Sequence, residues 1–384
     1  MDAETPILEN VMATLQYSLK ARRPTSPSSP KPLEKAGHFP QAQWVDRGRN
    51  KDVTRAKPFT IAHRGFKAKY PENTMSAFTH AIRVGAQGLE TDVHLSRDGE
   101  IVLSHDATLQ RCFGVKKRII DCDWQYISSL RTRREPFEPM PRLVDLLRYI
   151  STPERKHVWL LLDIKLDNHP ETIMRAIANL LHSIPSEHRP WNKRIIIGCW
   201  TAEYLSLCHT YLPSFPVSLI SYSLIYARKF LQIPNIFFNI KLKALMGPGG
   251  AQFLEDAKNA QQKVFAWTVN DESFMRWSIR HTMDGVVTDN SELFQRICDG
   301  WKVERRCFYN NNGYKYGLLD KGDGYDGDGD DYEDDDEDDG ITVLQHVNIL
   351  IAGVILYVLG SMFATVHQVD LKEFLDELYD EYEK

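Results

Sequence analysis

Short apolar runs alternate with longer amphipathic segments between residues 59 and 288 of the chain. The runs are rich in β-branched and aromatic residues, which is typical of buried β-strands. They predict eight strands, at 59–63, 88–93, 158–164, 194–199, 217–222, 236–240, 263–269 and 284–288.

The segments between several of these runs place apolar residues three or four positions apart, as in helices that bury one face. They predict helices at 74–84, 170–183, 202–210, 250–261 and 271–280. Eight buried strands joined by crossover helices predict a parallel (β/α)8 barrel of the TIM type. We therefore assign residues 58–300 to an α/β barrel domain and expect the active site where the strands end.

One further apolar run, at 100–104, lies too close to the second predicted strand to be its parallel neighbour. The Asp98–Gly99 pair between them predicts a two-residue turn, which makes the run the second arm of an antiparallel hairpin. This register places His105 opposite Asp92. The hairpin is therefore expected to fold His105 back over the mouth of the barrel.

The segments outside the barrel differ from it in composition. Residues 1–57 are expected to form a short N-terminal helix followed by a linker rich in proline and serine. Residues 301–340 are rich in aspartate and glycine, which predicts an acidic disordered linker. The chain ends in a short acidic tail at 367–384.

The segment 341–366 contains no charged residue, and its most apolar part begins at Ile349. That part approaches the shortest length that crosses a bilayer as a helix. Because the segment follows an acidic linker outside the barrel, it is expected to have no core to join. It is therefore predicted to be a transmembrane anchor, and the acidic residues on both sides give no orientation.

Charge and cysteine content indicate where the barrel works. The chain has a net charge of −5, but its acidic segments lie near the C-terminus and the rest is basic. A basic body suits an anionic glycerophospholipid in a membrane, and the scattered lysines and arginines argue against a nucleic acid. The six cysteines form no CxxC pair, and the sequence MDAETPILEN lacks the features of a secretory signal. We expect reduced thiols and a barrel that faces the cytosol.

Three carboxylates lie at the ends of predicted strands. Glu90 and Asp92 are two residues apart, so both point to the same side of one strand. Asp163 ends another strand and completes the set, with Lys165 on the same side to meet a phosphate. Hard oxygen ligands suit Mg²⁺ or Ca²⁺. The sequence therefore predicts a divalent-cation site and leaves the choice between these ions open.

Two histidines accompany the carboxylates. His63 closes the first strand, and the adjacent Arg64 offers a fork suited to a phosphodiester anion. His63 and His105 on opposite sides of a metal-bound phosphate are suited to act as general base and general acid. The sequence does not assign the two roles between them.

Four other polar or aromatic residues are candidates for the same cleft. Asn73 is expected either to cap the following helix or to turn its amide into the site. Trp200 and Trp267 end the fourth and seventh strands and are expected either to line the substrate cleft or to pack at the top of the barrel. His94 shares the side of Glu90 and Asp92, but its place at the start of the hairpin makes it the weaker ligand.

The motifs HRG, PENT, ExDV, DG and HD, in this order, resemble the glycerophosphodiester phosphodiesterase family across residues 59–300. The resemblance implies a (β/α)8 barrel and a divalent metal. It also implies that His63 and His105 are the acid/base pair and that Arg64 binds the phosphate. Glu90 and Asp92 would be metal ligands. One departure is Asp163-Ile164-Lys165, where the family usually has Glu-Ile-Lys, so the shorter carboxylate of Asp163 is expected to bind the metal directly or through a water.

Longer stretches, including HRGFKAKYPENT, LLLDIK, FAWTVN and GVVTDN, with the C-terminal apolar segment, resemble the fungal phosphatidylglycerol phospholipase C branch. That resemblance implies hydrolysis of phosphatidylglycerol to diacylglycerol and glycerol 3-phosphate. The nucleophile is either water or the 2-hydroxyl of the head group. Two alternatives stay open: a phosphodiesterase for deacylated diesters or lysophospholipids, and a non-catalytic membrane tether. The membrane is that of the endoplasmic reticulum, a lipid droplet or the mitochondrial outer membrane, and the oligomeric state is open.

Overall fold

The computed structural model describes residues 39–45, 57–186, 188–301, 341–367 and residue 374. The predicted N-terminal helix, the Pro/Ser-rich linker, almost all of the acidic linker and most of the acidic tail lie outside these residues. Their predicted boundaries therefore stay predictions.

Nine strands form a single sheet in the described part of the chain, and eight of them close into a barrel. The first strand pairs in parallel with both the second and the last, which completes the ring. The predicted TIM-type barrel is confirmed, and each predicted strand overlaps the observed one. The strands are β1 Phe59–His63, β2 Gly88–Leu95, β3 Ile101–Leu103, β4 Trp159–Ile164, β5 Ile195–Cys199, β6 Val217–Ser221, β7 Phe237–Lys241, β8 Lys263–Trp267 and β9 Gly285–Thr288.

Helices cover the outside of the barrel, and all five of the predicted ones are present. The α-helices in the described residues are α1 Met75–Arg83, α2 Gln110–Phe113, α3 Trp124–Ile127, α4 Leu143–Ile150, α5 Pro170–Ser183, α6 Ala202–Tyr211, α7 Leu224–Arg228, α8 Leu242–Met246, α9 Gly250–Asn259, α10 Glu272–Arg280, α11 Ser291–Gly300 and α12 Val343–Val366. Short 3-10 turns occur at Gln43–Val45, Ile119–Asp121, Pro153–Arg155 and Trp191–Lys193.

Alternate residues of each strand face the inside of the barrel. Large apolar side chains fill its interior as one buried cluster that includes Phe59, Ile61, Trp159, Leu161, Ile196, Phe237, Phe265 and Val287. On most of these strands the next inward-facing position, toward the carboxyl end, is polar or aromatic. The apolar cluster therefore fills the amino-terminal part of the barrel interior. The polar side chains that can take part in a reaction lie at the mouth formed by the carboxyl ends of the strands.

The hairpin arm is present as β3, but its predicted register is wrong by one residue. Ser96 N donates to Glu100 O at 2.9 Å, and Gly99 adopts φ 86°. The loop thus has three residues, because the left-handed glycine follows a turn instead of sitting inside a two-residue one. As a result Ser104, not His105, lies opposite Asp92, with Ser104 N donating to Asp92 O at 3.0 Å. His105 leaves the strand one position later and still reaches the mouth.

The C-terminal segment forms the helix α12, which is long and apolar enough to cross a membrane by length and composition alone. A capping box at its start satisfies the Thr342 and Gln345 backbone amides. The expectation that this segment has no core to join is wrong, because Ile349, Leu356 and Phe363 are buried against the barrel. One face of the helix is therefore a packed face.

Four cysteines of the described residues carry free thiols, at Cys112, Cys122, Cys199 and Cys208.

Candidate active site

The three predicted carboxylates meet at the mouth of the barrel. Asp92 and Asp163 are register partners on the adjacent strands β2 and β4, and Glu90 lies one inward position below Asp92. Oxygen atoms of the three side chains lie within 4.8 Å of one another, and all three residues are buried. The structure thus brings together the group that the sequence proposed from spacing alone.

The pKa values of the three carboxylates are shifted in different directions. Burial, together with the carboxylates of Asp92 and Asp163, raises the pKa of Glu90 well above its usual range. Burial acts on Asp92 in the same direction, but the Lys165 ammonium and the Arg64 guanidinium hold the pKa of Asp92 well below its usual range. Burial also raises the pKa of Asp163. A further cation among the three would relieve their mutual repulsion.

The donor set fits a divalent cation. Three buried carboxylates that converge within 4.8 Å supply hard, anionic oxygens and no sulfur or imidazole ligand. Mg²⁺ and Ca²⁺ prefer such ligands, whereas zinc prefers nitrogen and sulfur. Glu90, Asp92 and Asp163 are therefore the residues that would hold the ion.

Lys165 and Trp200 fix the third carboxylate. The Lys165 Nζ atom lies 2.6 Å from Asp92 Oδ1 and 2.6 Å from Asp163 Oδ2. Trp200 Nε1 donates to Asp163 Oδ1 at 2.8 Å. An aspartate here is shorter than the usual glutamate, and these two contacts hold it in the carboxylate group. The sequence predicted that Trp200 lines the cleft or packs at the top of the barrel, and in the structure it orients Asp163.

Arg64 is held in a strained turn directly after β1. Its backbone adopts φ 55°, and Gly65 follows at φ 80°. The Arg64 amide donates to Glu90 Oε2 at 2.9 Å, and its guanidinium contacts Glu72 at 2.9 Å and Asp92 at 3.3 Å. Such strain persists where surrounding contacts fix the conformation, which is typical of functional sites. The turn places a cation beside the carboxylates.

Asn73 turns its amide into the site, and Thr74 caps the next helix in its place. Asn73 Nδ2 donates to Asp92 Oδ2 at 2.9 Å, while its Oδ1 accepts from the Thr91 hydroxyl at 2.8 Å. Thr74 Oγ1 accepts from Ala77 N at 3.3 Å. Of the two predicted roles for Asn73, the structure therefore supports the one in the site.

His63 is paired with a carboxylate that the sequence analysis did not identify. Its Nδ1 lies 2.5 Å from Asp289 Oδ1. Asp289 is held in turn by the Asn270 amide at 2.9 Å and the Lys67 ammonium at 3.3 Å. Burial and the Arg64 charge lower the pKa of His63 to about 4, so the ring is neutral at pH 7. Asp289 orients the ring and leaves Nε2 available for proton exchange.

His105 has a similar partner in its own motif. Its Nδ1 lies 2.9 Å from Asp106 Oδ1, and Arg111 donates to Asp106 at 2.7 and 3.0 Å. Arg111 also donates twice to Glu72, each time at 2.7 Å, so Glu72 links it to Arg64. Burial and the Arg64 charge lower the pKa of His105 to about 3. Both histidines therefore have a fixed Nδ1 and a neutral ring.

The weaker ligand candidate, His94, lies away from the carboxylate group. Its Nδ1 bonds to Ser104 O at 2.8 Å, and its Nε2 lies 2.8 Å from Asp167 Oδ1. The Nδ1 bond holds the hairpin arm, and Nε2 faces the loop that follows β4, so the role of His94 is structural.

The opposite wall of the mouth is aromatic and carries one more cation. The Trp200 and Trp267 rings lie 5.8 Å apart, and the Lys241 Nζ atom lies 4.5 Å from the centre of the Trp267 ring. Burial, Lys243 and Arg64 lower the pKa of Lys241 to about 8. Among the described residues no carboxylate lies within 4.0 Å of its Nζ. Lys241, which was not predicted from the sequence, ends β7 as His63 ends β1.

Residues 63–293 match the model of the glycerophosphoryl diester phosphodiesterase family. The chain belongs to this family. A glycerophosphodiester phosphodiesterase of Bacillus altitudinis is 27% identical over 250 residues, which cover 63% of this chain and 98% of the relative. The lysophospholipase D GDPD1 of Mus musculus is 30% identical over 153 residues, or 36% of this chain and 47% of the relative.

Solved structures agree on the fold. A family member from Silicibacter pomeroyi superposes with a TM-score of 0.59 at 20% identity and covers 68% of this chain and 97% of its own. A phosphodiesterase of Oleispira antarctica, solved with its product sn-glycerol-3-phosphate, gives 0.55 at 23% identity and covers 64% and 98%.

As a member of the family, the chain is a metal-dependent phosphodiester hydrolase that acts on substrates related to glycerophospholipids. A purely non-catalytic membrane tether is thereby set aside.

Proposed function

We propose that this enzyme is a phosphatidylglycerol phospholipase C that releases diacylglycerol and glycerol 3-phosphate. The observation that carries the proposal is the mouth itself, where two histidines with fixed Nδ1 atoms accompany a buried carboxylate trio. The long motifs shared with the fungal branch support the head group. The uncharged helix α12 supports a substrate that resides in a membrane.

The P–O bond proposed to break is the same one that the family breaks, but here the leaving group is larger. A glycerophosphodiesterase leaves phosphate on glycerol and releases the other alcohol. In phosphatidylglycerol that other alcohol is diacylglycerol. The sn-glycerol-3-phosphate bound to the Oleispira antarctica enzyme is the same phosphate-bearing half. The proposed reaction therefore differs from that of a glycerophosphodiesterase only in its leaving group.

His63 and His105 exchange the protons in this reaction. One takes a proton from the attacking water or head-group hydroxyl as the new P–O bond forms. Attack by the hydroxyl gives a cyclic phosphate, which water then opens to glycerol 3-phosphate. The other, when protonated, donates to the diacylglycerol oxygen as the old P–O bond breaks. Asp289 and Asp106 keep each Nδ1 bonded, which directs Nε2 to the reacting oxygen and stabilises the imidazolium.

Positive groups around the mouth bind the phosphate. A divalent ion held by Glu90, Asp92 and Asp163 would supply charge that stabilises the phosphate oxygens in the transition state. Arg64 and Lys165 lie beside the same carboxylates and are proposed to contact the phosphate directly. Lys241 faces them from the aromatic wall without a carboxylate of its own among the described residues and is proposed as a further anion contact.

A second candidate is a diesterase for deacylated diesters or lysophospholipids. The names of the relatives favour it, because one is a glycerophosphodiester phosphodiesterase and another a lysophospholipase D. These substrates carry one acyl chain or none and need less apolar surface near the mouth. The two candidates therefore differ in their need for α12.

We also propose that α12 attaches the enzyme to a membrane with the barrel in the cytosol. The endoplasmic reticulum, lipid droplets and the mitochondrial outer membrane are the candidate locations. The absence of charge along α12 supports attachment and does not distinguish these membranes.

The test is a turnover assay with purified full-length protein. Phosphatidylglycerol and glycerophosphocholine are supplied separately in mixed micelles with Mg²⁺, Ca²⁺ or EDTA. The proposal expects diacylglycerol release that requires a metal and is lost in His63→Ala and His105→Ala. Turnover of glycerophosphocholine alone would establish the second candidate.

A further inference from the structure

The buried residues of α12 form one continuous stripe. Ile349, Gly353, Leu356, Gly360 and Phe363 are buried and follow the three- and four-residue spacing of a single helical face. The residues between them are largely exposed. This pattern shows that the helix lies along the barrel over most of its length.

Two glycines set how closely α12 approaches the barrel. A Cβ atom at Gly360 would lie 2.6 Å from Ser223 Oγ, and the Ser223 hydroxyl donates to Gly360 O at 3.0 Å. A Cβ atom at Gly353 would lie 3.1 Å from the Pro248 ring. Small residues at such positions let a helix backbone touch its neighbour. The two glycines thus allow the backbone of α12 to pack closely against the barrel.

The docking surface belongs to the rim of the active-site mouth. Ser223 comes two residues after β6 ends, and α8 follows directly after Lys241, the last residue of β7. The Phe363 ring contacts those of Tyr222 and Tyr226 at 5.6 and 5.2 Å between centroids. Because these segments extend from the carboxyl ends of strands, α12 lies beside the opening through which substrate reaches the carboxylates.

The outward face of α12 is apolar. Among the described residues, nine of the eleven exposed large hydrophobic side chains belong to this helix. They are Leu344, Val347, Leu350, Ile351, Val354, Ile355, Tyr357, Val358 and Met362. Such a concentration marks an interaction surface, and the lack of any charge from 341 to 366 suits lipid better than a protein partner.

A docked α12 does not cross a bilayer. The buried stripe from Ile349 to His367 extends over about 27 Å at 1.5 Å per residue, close to the ~30 Å of hydrocarbon that a spanning helix must cross. Crossing would therefore draw the packed barrel surface into the hydrocarbon, including α7 with Arg228 and α8 with Lys243. Charged groups there are expensive to bury.

We infer that α12 is an in-plane membrane-binding helix fixed to the rim of the mouth. Its outward face enters the lipid surface and holds the mouth against the bilayer, so that a phospholipid reaches the carboxylates without leaving the membrane completely. The inference rests on the proposed function only in taking a membrane lipid as substrate. It replaces the transmembrane arrangement expected from the sequence.

Topology provides the first test. An epitope tag is placed after Lys384 of the full chain, and the protein is bound to the outside of phosphatidylcholine vesicles containing phosphatidylglycerol. We expect protease without detergent to remove the tag and to cut the barrel side alike. A tag that survives until detergent is added would show a spanning helix and overturn the inference.

Undocking provides the second test. Gly353→Leu with Gly360→Leu should push α12 off the rim, whereas Val354→Leu with Val358→Leu, on the outward face, should not. We expect the glycine pair to lower turnover of vesicle phosphatidylglycerol by about tenfold or more while vesicle binding persists, because the helix stays apolar. Turnover of glycerophosphocholine, measured together with thermal unfolding, controls for damage to the barrel.

The outcomes separate the inference from the proposed function. If the glycine pair hydrolyses vesicle lipid like the wild type, docking has no role and the inference is wrong. If the wild type hydrolyses only glycerophosphocholine, the phospholipase proposal fails, and vesicle binding with the tag position still decides whether α12 lies in the plane.

Discussion

At the scale of single residues, each catalytic histidine is paired with a carboxylate that fixes the orientation of its ring. The sequence located His63 and His105 by their motifs, but their partners were not identified. Asp289 is 226 positions from His63, and no local pattern says which loops meet at a barrel mouth. Asp106 and Glu72 lie inside recognised motifs, so their presence was visible while their bonds to Arg111 were not.

The Asp289 pair predicts a kinetic effect without loss of binding. Asp289→Asn should lower kcat by about a hundredfold, the order of one general acid–base contribution, and leave KM nearly unchanged. The nearby half-buried Glu292, which pairs with Lys69, supplies the control Glu292→Gln. Equal activity of Asp289→Asn and wild type in steady-state kinetics would contradict the role assigned to the pair.

The lowered pKa of His63 predicts acid sensitivity of the fold. Its pKa falls from 6.5 to about 4 on folding, so the unfolded chain binds more protons between these values. The stabilisation is complete above pH 6.5 and is lost as the pH falls toward 4. Between pH 7 and pH 5 the wild type should lose about 2 kcal/mol more unfolding free energy than His63→Gln in urea denaturation. Parallel losses in both proteins would refute the assignment.

Lys241 predicts a pH-dependent affinity. With a pKa of about 8, it loses its charge as the pH rises through that value, and KM for phosphatidylglycerol should rise there. Lys241→Ala should raise KM about tenfold at pH 7, the order of one charge-assisted contact, and Lys241→Arg should restore it and flatten the profile. Lys258→Ala, on the exposed side of α9, is the matched control. An unchanged KM in Lys241→Ala would remove the residue from the site.

At the scale of elements, the strands were predictable because a barrel strand is buried on both faces and reads as a continuous apolar run. The hairpin register was not, since the same Asp98–Gly99 pair serves a two-residue loop or a three-residue loop ending in a left-handed glycine. The difference depends on how Asp98 is held, and its carboxylate bonds to the Ser96 hydroxyl at 2.6 Å. One residue of register decided whether Ser104 or His105 faced Asp92.

In the turn after β1, adding one methyl group at Gly65 should lower the free energy of unfolding strongly. A Cβ atom at Gly65 would lie 2.7 Å from the Ala77 backbone at φ +80°, whereas Gly99 has φ +86° and no atom within 4 Å of its Cβ position. Gly65→Ala should cost about 2–4 kcal/mol of unfolding free energy, and Gly99→Ala about 1 kcal/mol. Because both glycines are left-handed, the difference measures the close approach of α1. Equal costs would show that the approach is not tight.

At the scale of the whole molecule, the sequence indicated a barrel, an anion-binding site and an apolar C-terminal helix, but not how they fit together. A helix that is apolar on every side has no periodic signal to show which face is packed. Only Gly353 and Gly360 mark the docked face of α12, and their significance depends on Ser223 and Pro248. The arrangement of the helix beside the mouth is therefore a result of the tertiary structure.

The central claim is that the enzyme cleaves phosphatidylglycerol on the diacylglycerol side of the phosphate. Product identification by phosphorus NMR and mass spectrometry, after complete turnover of phosphatidylglycerol in mixed micelles with metal, tests it most directly. We expect glycerol 3-phosphate and diacylglycerol in equal amounts. Phosphatidic acid and free glycerol would contradict it and place the cleavage on the head-group side.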